Sequence, residues 1–154
     1  MNISFSDEQA RQIDESALIE MASQVLTHER YPARTELAIT AVTDEAMATL
    51  KAEHMGVHEP TDVLSFPIDE LTAGQPPTVA TDGPPLLLGD IVIAPGVIAR
   101  QASEHGVSES EELALMIVHG VLHLMGWDHG DDEEAEQMEA RERQILALAG
   151  MVRR

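Results

Sequence analysis

The chain has 154 residues, 44% of them apolar, which is enough to bury a core, and no cysteine, which excludes disulfides and thiolate metal sites. Nine Lys and Arg stand against 28 Asp and Glu, and the resulting net charge of -19 excludes a broad basic footprint for nucleic acid. The start, MNISFSDEQARQID, lacks both a basic and an apolar leader region, and no run approaches the roughly 20 apolar residues of a membrane helix, so a soluble cytoplasmic protein with no membrane partner is expected.

In chain order, NISFS alternates apolar and polar residues and reads as a first strand. DESALIEMASQVLTHE places Leu18, Met21, Ala22, Val25 and Leu26 at helical spacing. ELAITAVT alternates and is β-branched, as a strand should be. DEAMATLKAEHMG reads as a helix, with Asp44 expected as its N-cap and Gly56 as its stop. TDVLSFP is a short strand closed by Pro67. From Ile68 to Pro85 the chain holds four of the eight prolines and no basic residue, and a long, exposed, mobile loop is expected. LLLGDIVIAP reads as a buried strand and GVIARQASEHG as a helix ending at Gly106. SESEELALMIVHGVLHLMG, residues 108–126, opens on a capping box of Ser108 and Glu111 and ends at Gly126. DDEEAEQMEARERQILALAG is a last helix whose acidic first turn suits the helix dipole. No repeat or boundary divides the chain, so one α+β domain over residues 1–154 is expected, a small mixed sheet with helices packed on it.

Three of the seven histidines fall in HGVLHLMGWDHG. His119 and His123 are i and i+4, so they share a helix face about 6 Å apart along the axis. Gly126 lets the chain turn so that His129 can return as a third ligand. Three protein ligands with a fourth position open is the pattern of a catalytic zinc. The spacing fits the metzincin frame H-E-x-x-H-x-x-G-x-x-H, except that Gly120 replaces the glutamate that serves peptidases as general base. The alternative is that the two imidazoles are core residues. Yet Leu113 to Met125 is apolar apart from them and Gly120, and two buried unpartnered imidazoles would cost about 1–3 kcal/mol each.

HGVLHLMGWDH resembles the H-G-x-L-H-L-x-G-x-D-H signature of the YbeY family, metal-dependent endoribonucleases that mature ribosomal RNA. PTDVLSFP (Pro60–Pro67) and LGDIVIAP (Leu88–Pro95) resemble two further blocks of that family, and the likeness runs from about Leu50 to Leu148. It implies a zincin-like α+β fold, one zinc held by His119, His123 and His129, and action on single-stranded RNA, notably the 3′ end of small-subunit rRNA, with a role in ribosome quality control. Family members usually carry an arginine shortly before the T-D-V-L-S-F block. Here that segment reads LKAEHMGVHEP, with Met55 near the expected position and Lys51 the only nearby cation.

Other residues have two readings. Thr61, Asp62 and Ser65 either line a cleft or begin a strand. Gly89 and Asp90 mark a bulge beside the cleft or a plain strand edge. Asp128 orients a ligand histidine, acts as proton acceptor, or shapes a helix-end turn. His28, His54, His58 and His105 lack ligand spacing and read as surface residues. Arg34, Lys51, Arg100, Arg141 and Arg143 are the candidates for a local patch that meets RNA. The expected function is a zinc-dependent endoribonuclease in rRNA processing, partnered by rRNA and by the ribosome or its basic proteins. The alternatives are a zinc peptidase on the same cage and a non-enzymatic ribosome-associated module. The identity of a catalytic general base is not legible.

Overall fold

A computed structural model describes residues 1–56, 58, 59 and 61–153; Pro60, the first residue of the PTDVLSFP block, lies outside them. Four strands and five helices are described: β1 (Asn2–Glu8), α1 (Glu15–His28), β2 (Thr35–Val42), α2 (Asp44–Met55), β3 (Val63–Pro67), β4 (Leu86–Ile93), α3 (Pro95–His105), α4 (Glu109–Leu124) and α5 (Asp132–Leu148). The sheet order is β1-β2-β4-β3. β1 and β4 run parallel to β2, whereas β3 pairs antiparallel with β4, so the sheet is mixed and β3 is an edge. The α+β architecture agrees with the sequence reading.

The pleat divides the core. Along β2, Thr35, Leu37, Ile39 and Ala41 are buried and alternate with half-buried residues. Leu37, Ile39, Ile91 and Ile93 meet α1, α4 and α5 in the larger apolar cluster. Val92, Leu64 and Val42 meet Met47 and Val97 in a smaller one. All five residues of the predicted α1 stripe are buried. α4 is the central element: it touches α1, α3, α5, β3 and β4. That is why its sequence is apolar nearly all round.

Several details differ from expectation. Asp44 does not cap α2: Thr43 does, its side-chain oxygen accepting from the Ala46 amide, while Asp44 in the first turn pairs with Arg100 at 2.8 Å. The 68–85 segment is irregular and mostly exposed, as expected, but it is tied to the body of the fold. Leu71 packs against the larger core, and Arg34 donates to the carbonyls of Thr81 and Gly83. The expected bulge at Gly89 exists: Leu37 pairs with Gly89 after Glu36 has paired with Leu87, leaving Leu88 extra. Gly89 has φ +147°, and a Cβ there would stand 2.4 Å from the Phe66 carbonyl oxygen, so only glycine fits. Asp90 is exposed on a shallow groove beside Asn2, Ser4 and Glu36, away from the histidines.

Candidate metal centre

The Ser108 capping box starts α4, with Ser108 Oγ accepting from the Glu111 amide at 3.1 Å. The helix then carries His119 and His123 on one face, each half-buried. At its end Gly126 adopts φ +97°, and a Cβ there would lie 2.1 Å from the Leu71 carbonyl oxygen. The chain can turn sharply only because this residue has no side chain. Asp128 Oδ1 accepts from the His129 amide at 2.8 Å, which helps hold the returning segment. His129, exposed, comes back over the other two. One ligand nitrogen from each of His119, His123 and His129 lies within 4.8 Å of the others.

The hydrogen bonds fix which nitrogens face inward. His119 Nδ1 donates to Glu142 Oε2 at 2.8 Å. His123 Nδ1 donates to the Trp127 carbonyl oxygen at 2.8 Å. Burial, with His119 close by, lowers the His123 pKa below its ordinary value and favours the neutral ring. Burial alone would push the Glu142 carboxyl up. The hydrogen bond and charge of His119, and then those of Arg153 at 2.9 Å, outweigh it and hold that carboxyl below its usual range. With both Nδ1 atoms donating, each ring turns its Nε2 inward, and these two atoms are 3.0 Å apart. Two lone pairs at that distance repel, and either a shared proton or a metal ion between the rings removes the repulsion. The donor set suits a metal ion that accepts imidazole nitrogen, zinc among them.

Glu142 is the residue of the candidate site that sequence reasoning missed. It is 1% exposed and lies on α5, 23 residues after His119. Of the three readings of Asp128, its bond from the His129 backbone amide fits the turn-shaping one. The only sequence signal for Glu142 was its place on the buried face of α5 beside Met138, Ile145 and Leu146.

The histidines open onto a cleft of about 650 Å³, whose other walls come from β3, the end of α2 and the start of the 68–85 segment. Thr61, Asp62 and Ser65 do line it, as one of their two readings held. Ser65 Oγ also donates to the Gly120 carbonyl at 2.9 Å and ties β3 to α4. Of the candidate cations, Arg34 holds loop carbonyls, Arg100 pairs with Asp44, and Arg141 lies 4.8 Å over the Trp127 ring and 3.6 Å from Glu29. Lys51 lines the cleft, and Arg143 is exposed on α5 outside it. His54, His58 and His105 stand apart from the triad, as expected. His28 is not a free surface residue: its side chain is 20% exposed and bonded to Glu29 at 2.7 Å.

Comparison with known proteins agrees with this geometry. The family model described as Endoribonuclease YbeY matches residues 2–150. A protein named Endoribonuclease YbeY from Mycolicibacterium gilvum is 40% identical over 146 residues, covering 95% of this chain and 82% of that one. Its namesake from Thermobifida fusca is 40% identical over 147 residues, covering 96% and 93%. The solution structure of TM1509 from Thermotoga maritima superposes with a TM-score of 0.59 at 20% identity, over 96% of this chain and 91% of that one, and shares the fold. No described helix is long and apolar enough to cross a membrane. The chain belongs to the YbeY endoribonuclease family.

Proposed function

We propose that the chain works as one metal-dependent hydrolase domain over residues 1–154, a cytoplasmic endoribonuclease specific for single strands. Its substrate is ribosomal RNA, with the 3′ end of small-subunit rRNA as the target, and it serves ribosome maturation and quality control. One zinc ion per chain is held by His119, His123 and His129. The observation that carries this reading is the pair of inward Nε2 atoms 3.0 Å apart at the foot of an open cleft, each with its Nδ1 already engaged.

When bound, zinc supplies Lewis acidity toward a phosphoryl oxygen and lowers the pKa of a coordinated water toward 7. The protein's own part is positional. Glu142 and the Trp127 carbonyl set the tautomers of His119 and His123, so both rings offer Nε2 without rearrangement. β3 forms the facing wall and is held to α4 by Ser65. Gly120 removes the peptidase alternative's general base, and its place is tightly packed: a Cβ there stands 3.2 Å from Ile91 Cγ2, 3.3 Å from Val63 Cγ2 and 3.4 Å from Ser65 Oγ.

The test is cleavage of a single-stranded RNA, its duplex form and a precursor of small-subunit rRNA, alongside casein. Zinc-loaded protein is expected to cut the single strand and the unpaired 3′ region of the precursor, to lose that activity on chelation and to recover it when zinc is restored. Intact RNA under zinc, or cleavage indifferent to chelation, contradicts the proposal. Casein hydrolysis would favour the peptidase reading.

A further inference from the structure

The cleft carries charge of the wrong sign for a polyanion. Asp62, Asp69, Glu70 and Asp128 are among its lining residues, and the whole chain has a net charge of -19. Among the described residues that line it, one is a cation other than histidine: Lys51, the only lysine in the sequence. It sits on α2, one turn before Met55, and its side chain is 20% exposed. Its carboxylate neighbour, Glu59, is 3.7 Å away and 66% exposed, a loose surface pairing worth little in water. Arg34, Arg100 and Arg141, by contrast, are engaged elsewhere.

We infer that Lys51 is the phosphate-binding residue of this cleft, holding a backbone phosphate of the RNA strand whose scissile phosphate lies at the histidines. This rests on the RNA reading above and adds the second point at which the strand is held. The ammonium is compact, has three donors and ends a long apolar stem, most of which is shielded from water. Exchange of Glu59 for a phosphate replaces one exposed pairing by a charge-assisted bond in a partly desolvated site. The other charged groups lining the cleft, Asp62, Asp69, Glu70 and Asp128, disfavour a polyanion, so Lys51 is the attractive point among them. Met55, 61% exposed at the same wall, offers an apolar surface for a base next to that phosphate.

The experiment uses full-length, zinc-loaded protein and a single-stranded RNA oligonucleotide, with KM and kcat measured at several salt concentrations. Lys51→Met keeps the stem and removes the charge. It is expected to raise KM about ten- to a hundredfold, the worth of one charge-assisted bond, and to flatten the log-log salt slope by about 0.7. Lys51→Arg should restore most of the affinity. Arg143→Met removes the same charge outside the cleft and should leave KM and slope unchanged. Zinc content should be equal in all four proteins, which separates loss of a phosphate contact from damage to the metal centre. If Lys51→Met matches the parent in KM and slope while the parent cleaves RNA, the inference is wrong and the RNA reading stands. If the parent neither binds nor cleaves RNA, the RNA reading itself fails.

Discussion

Glu142 Oε2 accepts a hydrogen bond from His119 Nδ1 at 2.8 Å, and its other oxygen accepts from Arg153 Nε at 2.9 Å. A buried carboxylate is thereby shared between a candidate metal ligand and the C-terminal segment. Glu142→Gln keeps the shape and removes the charge. Zinc affinity, read by competition with a chromophoric chelator, is expected to fall about 10- to 100-fold. An unchanged affinity would mean that the carboxylate only stabilises the fold.

Gly120 is the one position of the frame where this chain departs from a metzincin. Gly120→Ala gains helix propensity of about 1 kcal/mol but presses a methyl against Ile91, Val63 and Ser65, and a net change within about 1–2 kcal/mol is expected. Gly120→Glu starts from the same tight Cβ contacts and adds a carboxylate beside Ile91 and Val63. It should destabilise the protein by more than about 3 kcal/mol without conferring casein hydrolysis. Thermal unfolding and a casein assay check both statements; a stable, proteolytic Gly120→Glu would contradict them.

Gly126 tests how the turn to His129 is made. Gly126→Ala meets the Leu71 carbonyl and must also hold φ +97°, so a loss of about 3 kcal/mol is expected. The 68–85 segment, displaced from its seat on the helix end, should become more susceptible to limited proteolysis. Equal unfolding temperatures and equal proteolysis rates would show that this contact is unimportant.

The helices, the strands and the histidine frame were legible in the sequence because each depends on local spacing. The 3.6-residue period marked Leu18 to Leu26, Ser108 with Glu111 announced α4, and His119, His123 and His129 lie within eleven residues. What stayed hidden depends on contacts distant in sequence. Nothing near Glu142 says that α5 returns across α4 to meet His119. The N-cap at Thr43 was missed because Asp44 is an equally good capping type, and the pairing of Asp44 with Arg100 appears only once α2 and α3 meet. Leu71 gave no hint that it would anchor the irregular segment, because a single leucine has no periodicity.

Tyr31, the chain's one tyrosine, is buried next to Glu29, and burial first, then that carboxylate, push its phenol up from 10.0 to about 12. The folded state therefore favours the neutral phenol. The stability this contributes is complete below pH 10, the unfolded value, and is lost as pH rises toward 12. Ultraviolet titration should show one transition near 12 in the native protein and one near 10 in denaturant; a native transition at the ordinary value would place Tyr31 in solvent.

The most direct test of the account is the coordination sphere of the bound zinc, read by X-ray absorption together with metal content. About one zinc per chain is predicted, with three imidazole nitrogens and one light, non-protein oxygen donor, and His123→Ala should abolish stoichiometric binding. Because burial, with His119 close by, holds the His123 pKa below its ordinary value, protons should compete for that ligand only at more acidic pH than for an exposed imidazole. A fourth protein ligand would close the site to chemistry, and unchanged zinc content in His123→Ala would place the metal elsewhere; either result contradicts the open three-histidine centre.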